Sequence, residues 1–168
     1  MKRCRYAAIT ALLWMVTGAT YADEAPFLQS LAGDWRGAGM MKRTTSSPPV
    51  NLSCNFKTEA SGDALSMKGI CRGMIVITRE VSANIKVSGM QYAGSYVGPS
   101  GGVSGLRGTR SGDAINLAVH WSKVINGDRN ASMTIQRVDA NAIQIRTVDK
   151  DPASGQQVVT SELNLQRD

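Results

Sequence analysis

Apolar and polar residues alternate with a period of two along most of the chain after residue 32. Because successive side chains of a strand point to opposite faces of a sheet, this pattern predicts half-buried β-strands. A short helical turn is predicted over residues 24–32. Nine strands are predicted, at 34–42, 50–60, 64–79, 83–97, 103–110, 114–123, 131–138, 142–149 and 157–167. We therefore predict an all-β fold, an antiparallel meander that closes into a small barrel of about 8–10 strands.

Glycine, aspartate and asparagine mark turns between these strands, and the turn at residues 62–63 sets a testable register. If that turn is the apex of a hairpin, facing residues have numbers that sum to 125, so Cys54 faces Cys71. On the same face Phe56 lies across the bare backbone of Gly69. In the same register Lys57 faces Lys68, an unfavourable pair that a bulge would relieve.

The first 22 residues have the three parts of a secretory signal. Basic residues precede an apolar run over 6–16, and Ala22 ends a stretch of mostly small residues. The apolar run is shorter than the roughly 20 residues that span a bilayer. We therefore predict a signal peptide over 1–22, the alternative being a first core helix. Residues 23–168 are then one barrel domain in the periplasm, in peripheral contact with a membrane at most.

Two cysteines remain after the predicted cut, Cys54 and Cys71. Export places them in an oxidising compartment, where the hairpin register predicts a disulfide between them. The alternative is a reactive thiol pair, although the chain has no CxxC motif. Metal binding is not predicted, because His120 is the only histidine and no ligand cluster accompanies it.

Charge is unevenly distributed along the chain. From Arg36 to Arg110 there are ten basic and three acidic residues, whereas acidic residues slightly outnumber basic ones from Ser111 onward. A basic first half is typical of a surface that meets anions, and the alternative is an ordinary solvated surface. Export and the absence of an aromatic-interleaved basic stripe exclude nucleic acid as the expected partner.

The segment Phe27-Leu-Gln-Ser-Leu-Ala-Gly33-Asp-Trp35 resembles the start of lipocalin-like (calycin) barrels, in which a helical turn precedes Gly-x-Trp. In that family an arginine of the last strand packs across the tryptophan, and the resemblance assigns this role of barrel closure to Arg167. The run Trp35-Arg-Gly-Ala-Gly39 with cysteines at 54 and 71 also resembles a group of small exported bacterial proteins of unknown function. The resemblance implies a fold and leaves the ligand open.

Seven glycines lie between Gly94 and Gly112, without the ending of a phosphate loop. They are typical of tight barrel bends or a mobile loop; a sharper hypothesis is a flexible lid over the barrel mouth. In that hypothesis Arg107, Arg110 and the nearby Tyr96 contact an anionic ligand.

No cofactor motif and no paired carboxylates on apolar faces occur, so we do not predict an enzyme. The predicted function is an exported barrel that binds a small apolar or anionic ligand. The alternative is a structural or interaction protein of the bacterial cell envelope, which contacts an anionic surface through its basic first half.

Overall fold

The computed structural model describes residues 24–73, 77–99 and 101–168, which form one short helix and ten strands. The predicted signal peptide and its cut lie outside these residues. Among them, no helix has the length and apolar character of a membrane-spanning segment. The elements are α1 (Glu24–Ser30), β1 (Gly33–Met41), β2 (Val50–Ser61), β3 (Ala64–Gly73), β4 (Ile77–Ser88), β5 (Gln91–Val97), β6 (Val103–Ser111), β7 (Ala114–Ile125), β8 (Asp128–Asp139), β9 (Ala142–Lys150) and β10 (Gln157–Arg167).

The ten strands form a closed antiparallel barrel with the connectivity of a simple meander. Each strand pairs with the next one in the chain, and β1 pairs with both β2 and β10. Closure leaves no strand with unpaired backbone groups at an edge, the arrangement that avoids edge-to-edge association. The prediction of an all-β meander that closes into a small barrel is confirmed.

The strand count differs from the prediction at one hairpin. The predicted break at residues 80–82 is wrong, because β4 runs through it from Ile77 to Ser88. The chain turns instead at Gly89 and Met90, where Gly89 adopts a φ of 61°. This left-handed conformation is accessible to glycine at no steric cost, and it separates β4 from β5 inside a segment predicted as one strand.

The predicted register of the β2–β3 hairpin is confirmed. Cys54 faces Cys71 with an Sγ–Sγ distance of 2.05 Å, and Phe56 faces Gly69. Lys57 also faces Lys68, without a bulge. The Nζ of Lys57 instead lies 3.2 Å from the Oε1 of Glu59 on the same strand, so a carboxylate lies next to the facing ammonium groups.

The two ends of the barrel are built differently. At the helix end lie α1, the turns at 62–63, 89–90, 112–113 and 140–141, the start of β1 and the end of β10. At the mouth end lie the connections 42–49, 126–127 and 151–156 and, between β5 and β6, residues 98–99 and 101–102. Helix α1 and the residue that follows it bury Phe27, Leu28 and Leu31 against the core, so apolar side chains cover the helix end.

Glycines at inward positions allow strands to approach each other closely. A Cβ atom at Gly37 or Gly39 would lie 2.0 or 1.9 Å from a carbonyl oxygen of β10. At Gly94 and Gly108 the same atom would lie 2.0 and 1.8 Å from carbonyl oxygens of β4 and β7. A Cβ atom cannot be placed at these distances unless the backbone shifts, so these four glycines mark positions where neighbouring strands approach closely.

We predict that Gly108→Ala destabilises the barrel by about 1–3 kcal/mol, because the new methyl group meets backbone that cannot move without breaking the β6–β7 ladder. Chemical denaturation measures the change. Gly105→Ala is the matched control on the same strand, since nothing lies within 4 Å of its added Cβ. Equal loss of stability in both variants would contradict the interpretation.

Candidate functional site

Arg167 holds the end of α1 against the barrel. Its guanidinium lies 4.1 Å from the centre of the Trp35 ring and donates hydrogen bonds to the carbonyls of Ser30 and Ala32 at 2.9 and 2.6 Å. The Trp35 indole in turn donates to the carbonyl of Leu31 at 3.1 Å. Gly33 leaves the space that this guanidinium occupies, because a Cβ there would lie 2.2 Å from Nη1. The structure thus brings together Gly33, Trp35 and Arg167 around the helix C-terminus.

Two further arginines hold the helix through the ring of Phe27. The guanidinium groups of Arg110 and Arg137 lie 4.7 and 5.5 Å from the centre of the Phe27 ring. Arg110 pairs with the carboxylate of Glu24 at 3.0 Å, and the hydroxyl of Tyr92 donates to the same carboxylate. Burial, followed by the hydrogen bond and charge of Glu24, raises the pKa of Tyr92 well above its usual range. This network closes the helix end.

The structure separates the three predicted anion contacts. Arg110 lies at the helix end beside Glu24, Arg107 is exposed on the outer wall, and Tyr96 lies near the mouth. The hypothesis of a lid over residues 94–112 is wrong, because β5 and β6 occupy most of this segment as wall strands. Gly98, Gly101, Gly102 and Gly112 lie in connections, and Gly94 and Gly108 leave room for the backbone of the neighbouring strand.

The mouth end contains a row of larger side chains separated by small ones. Tyr96 of β5 and Trp121 of β7 face inward, with ring centres 6.2 Å apart, and Ser104 of β6 lies between them. Trp121 then extends past Ala131 of β8 toward Asp149 of β9. Because the intervening strands carry small residues, side chains from alternate strands meet inside the barrel.

Asp149 is a buried carboxylate, with 3% of its surface exposed. The indole N–H of Trp121 donates to its Oδ1 at 3.2 Å, and the hydroxyl of Thr160 donates to its Oδ2. Burial of a carboxylate is costly unless donors compensate for the lost water. An ionised carboxylate has about four acceptor positions, so these two bonds leave acceptor capacity unused.

The rim of the mouth is ordered by hydrogen bonds between connections. Thr45 in the β1–β2 connection donates its backbone N–H to the side chain of Asn126 at 3.1 Å and its hydroxyl to Asp151 at 2.7 Å. Asp151 also accepts bonds from the backbone and hydroxyl of Ser154, and these donors hold the pKa of Asp151 below its usual value. Three of the mouth connections are therefore tied together.

Sequence reasoning missed Asp149. The predicted strand 142–149 ends on this residue, and its phase with Ile143, Ile145 and Thr147 was a signal that it points inward.

The prediction for His120 is consistent with the structure, since His120 lies on the outer face with its Nδ1 3.4 Å from the side chain of Asn130. Within the described part of the chain, no three His, Cys, Asp or Glu side chains converge as a metal site.

Two solved structures are similar in fold. Rv2717c from M. tuberculosis has a TM-score of 0.65 at 18% identity, over 86% of this chain and 98% of that chain. The S-type phycobiliprotein lyase CPES from Guillardia theta has a TM-score of 0.57 at 13% identity, over 85% of this chain and 91% of that chain. No protein-family model and no curated protein matches the chain. At these identities the likeness supports the barrel fold alone, and membership of the exported group stays a prediction.

We predict that Arg167→Lys destabilises the protein by about 1–3 kcal/mol, because one ammonium cannot both stack on Trp35 and reach the carbonyl groups that the guanidinium binds. Thermal denaturation measures the loss, and hydrogen exchange is expected to accelerate in α1. The matched control is Arg107→Lys on the exposed wall, for which a change within about 0.5 kcal/mol is expected. Unchanged exchange in α1 would contradict this role of Arg167.

Burial raises the pKa of Tyr96 to about 12. Since this folded-state pKa lies above that of an unfolded tyrosine, the associated stability is present below about pH 10 and is lost as the pH rises toward 12. Absorbance at 295 nm follows phenolate formation. The difference between wild type and Tyr96→Phe is expected to have its midpoint near pH 12. A midpoint near pH 10 in the folded protein would show that Tyr96 is solvated.

Proposed function

We propose that this protein is an exported, non-catalytic barrel that binds a small, largely apolar molecule with a hydrogen-bond donor at its mouth end. The observation that carries the proposal is Asp149, a buried carboxylate that faces the barrel interior at the end that α1 does not cover. Trp121 and Tyr96 supply apolar ring surface beside it. Ligand-binding sites combine apolar lining with a few placed polar groups, and these three residues would supply both.

The packing of the barrel supports the mouth as the binding end. Near the helix end, the inward residues Leu65, Ile115 and Leu165 have at most 1% of their surface exposed. Toward the mouth, Val81 and Trp121 retain 9%, and Ser104 and Asp149 retain 4 and 3%. Because α1 covers the helix end with Phe27, Leu28 and Leu31, a ligand would have its access from the mouth.

The charge of the site favours a neutral or cationic ligand group. A hydroxyl or amino group can use the unused acceptor positions of Asp149, whereas an anion there would be repelled by the carboxylate. Arg107 and Arg110 do not face the mouth, so they no longer support the hypothesis of an anionic ligand. We therefore assign the ligand to apolar alcohols or amines.

The proposal of a non-catalytic role rests on the surroundings of Asp149. The donors that contact it, an indole N–H and a threonine hydroxyl, are not proton-transfer partners near neutral pH. One similar structure is a lyase, so the fold alone does not exclude catalysis. Export to the periplasm is supported by the signal-peptide pattern and by the pairing of Cys54 with Cys71.

We predict that 1-aminoanthracene, an apolar aromatic amine, binds the protein and quenches Trp121 fluorescence, whereas the anionic probe 1-anilinonaphthalene-8-sulfonate binds more weakly. Asp149→Asn is expected to weaken binding of the amine about tenfold or more, because a charged acceptor is lost. Fluorescence titration gives both affinities.

A second pair of variants tests the location. Ala131→Leu adds volume at the β8 position that faces Asp149 of β9 and is expected to block the probe. Its control, Ala118→Leu, adds the same volume on the exposed face of β7. Equal affinity for the amine in wild type, Asp149→Asn and Ala131→Leu would overturn the mouth site.

A further inference from the structure

Charge separates by barrel end. Counting described residues that lie in a connection, in α1 or within two residues of a strand end, the mouth end is basic and the helix end acidic. The mouth carries Lys42, Arg43, Arg72, Arg79, Lys123, Arg129 and Lys150 against Asp128, Asp149 and Asp151. The helix end carries Lys86, Arg110, Arg137 and Arg167 against Glu24, Asp34, Glu59, Asp63, Asp113, Asp139 and Asp168.

Ion pairing strengthens this contrast. In the described residues, ion pairs form at the helix end and along the wall: Arg36–Asp168, Arg110–Glu24, Arg137–Asp113, Lys57–Glu59 and Arg146–Glu162. None of them includes one of the seven basic residues at the mouth. The acidic residues there are engaged elsewhere, because Asp149 is buried inside and Asp128 and Asp151 accept bonds within their own turns. Arg129 donates to the carbonyl oxygens of Trp121 and Ser122, and Arg79 to that of Thr78. Among the described residues, no carboxylate pairs with these cations and competes with an external anion.

Exposed apolar side chains lie among these basic residues. Ile77 begins β4, Val103 begins β6 and Val124 lies next to the end of β7, with 44, 68 and 64% of their surfaces exposed. Apolar residues are also exposed at the helix end, at Met90 and Val138, but their charged neighbours there are mainly acidic. The mouth therefore combines cations with apolar side chains on one rim.

We propose that the mouth rim docks on an anionic lipid bilayer surface, with the basic residues at the headgroups and Ile77, Val103 and Val124 in the interfacial layer. Each basic residue near an anionic membrane surface contributes attraction that salt screens. Apolar side chains gain nothing from a hydrated acidic polysaccharide, whereas they are stabilised on entering the lipid interface. The combination therefore favours lipid over a soluble polyanion.

Docking of the mouth rim on a membrane is independent of ligand binding inside the barrel. In contrast to the anionic-surface hypothesis from the sequence, the contact surface is one end of the barrel and not the first half of the chain. The β1–β2 connection and strands β3, β4, β6, β7, β8 and β9 contribute to it. Docking in this orientation turns the interior beside Asp149 toward the membrane.

Vesicle flotation tests the proposal with the full chain. Wild type is expected to bind vesicles of phosphatidylcholine with 30% phosphatidylglycerol, and binding should fall with added salt. Arg79→Gln/Lys123→Gln removes two rim charges and is expected to lower the partition coefficient about 30-fold. Lys68→Gln/Arg107→Gln removes two wall charges, changes net charge equally, and is expected to lower it about twofold at most. All variants carry the same residues 1–23, so their differences isolate the rim.

A second pair of substitutions tests the contribution of the exposed apolar residues. Val103→Ser/Val124→Ser is expected to weaken vesicle binding severalfold and to leave binding to dextran sulfate, a soluble polyanion, unchanged. Circular dichroism and melting temperature verify that each variant is folded. Equal vesicle binding by rim and wall variants would overturn the proposal. Vesicle binding that is unaffected by the valine changes would also overturn it and assign the rim to a polyanion.

Discussion

Closure of the barrel depends on how closely backbone can approach backbone at a few glycines. β1 joins the two ends of the meander only because Gly37 and Gly39 leave room for the carbonyl oxygens of β10. Gly94 and Gly108 do the same where β5 meets β4 and where β6 meets β7. A side chain at these positions would force the strands apart, so the tight curvature of the sheet, and with it the enclosed core, rests on the absence of four Cβ atoms.

The two ends of the closed barrel differ in how they are covered and in how their charged residues are paired. At the helix end, α1 adds apolar side chains, and Arg110, Arg137 and Arg167 hold it through ring faces, carbonyl groups and Glu24. At the mouth, the chain leaves its cations without carboxylate partners among the described residues and places Asp149 inside. The arginines of one end serve stability, while the charges of the other end remain available for binding.

Local patterns predicted much of this architecture. Period-two alternation indicated most of the strands, and the turn at Gly62 and Asp63 gave the register that pairs Cys54 with Cys71. These features depend on residues close in sequence, which share a hairpin. The hairpin at Gly89 was missed although the inward phase changes there, from Val87 to Tyr92, because Gly89 lacks the neighbouring aspartate or asparagine that marks the predicted turns. Asp149 was missed because its role depends on Trp121 and Thr160, which lie on other strands and donate hydrogen bonds to it. The inward phase of Asp149 alone does not indicate these contacts.

The amino-acid order was thus sufficient for the strand pattern, the hairpin register and the expectation of a closed sheet, since each follows from side-chain alternation or turn chemistry over a few residues. The tertiary structure decides at which end of the barrel each charged residue lies. In an antiparallel meander, consecutive connections alternate between the two ends, so basic residues far apart in the chain meet at one rim. A count along the sequence finds a basic first half, whereas the fold makes a basic mouth.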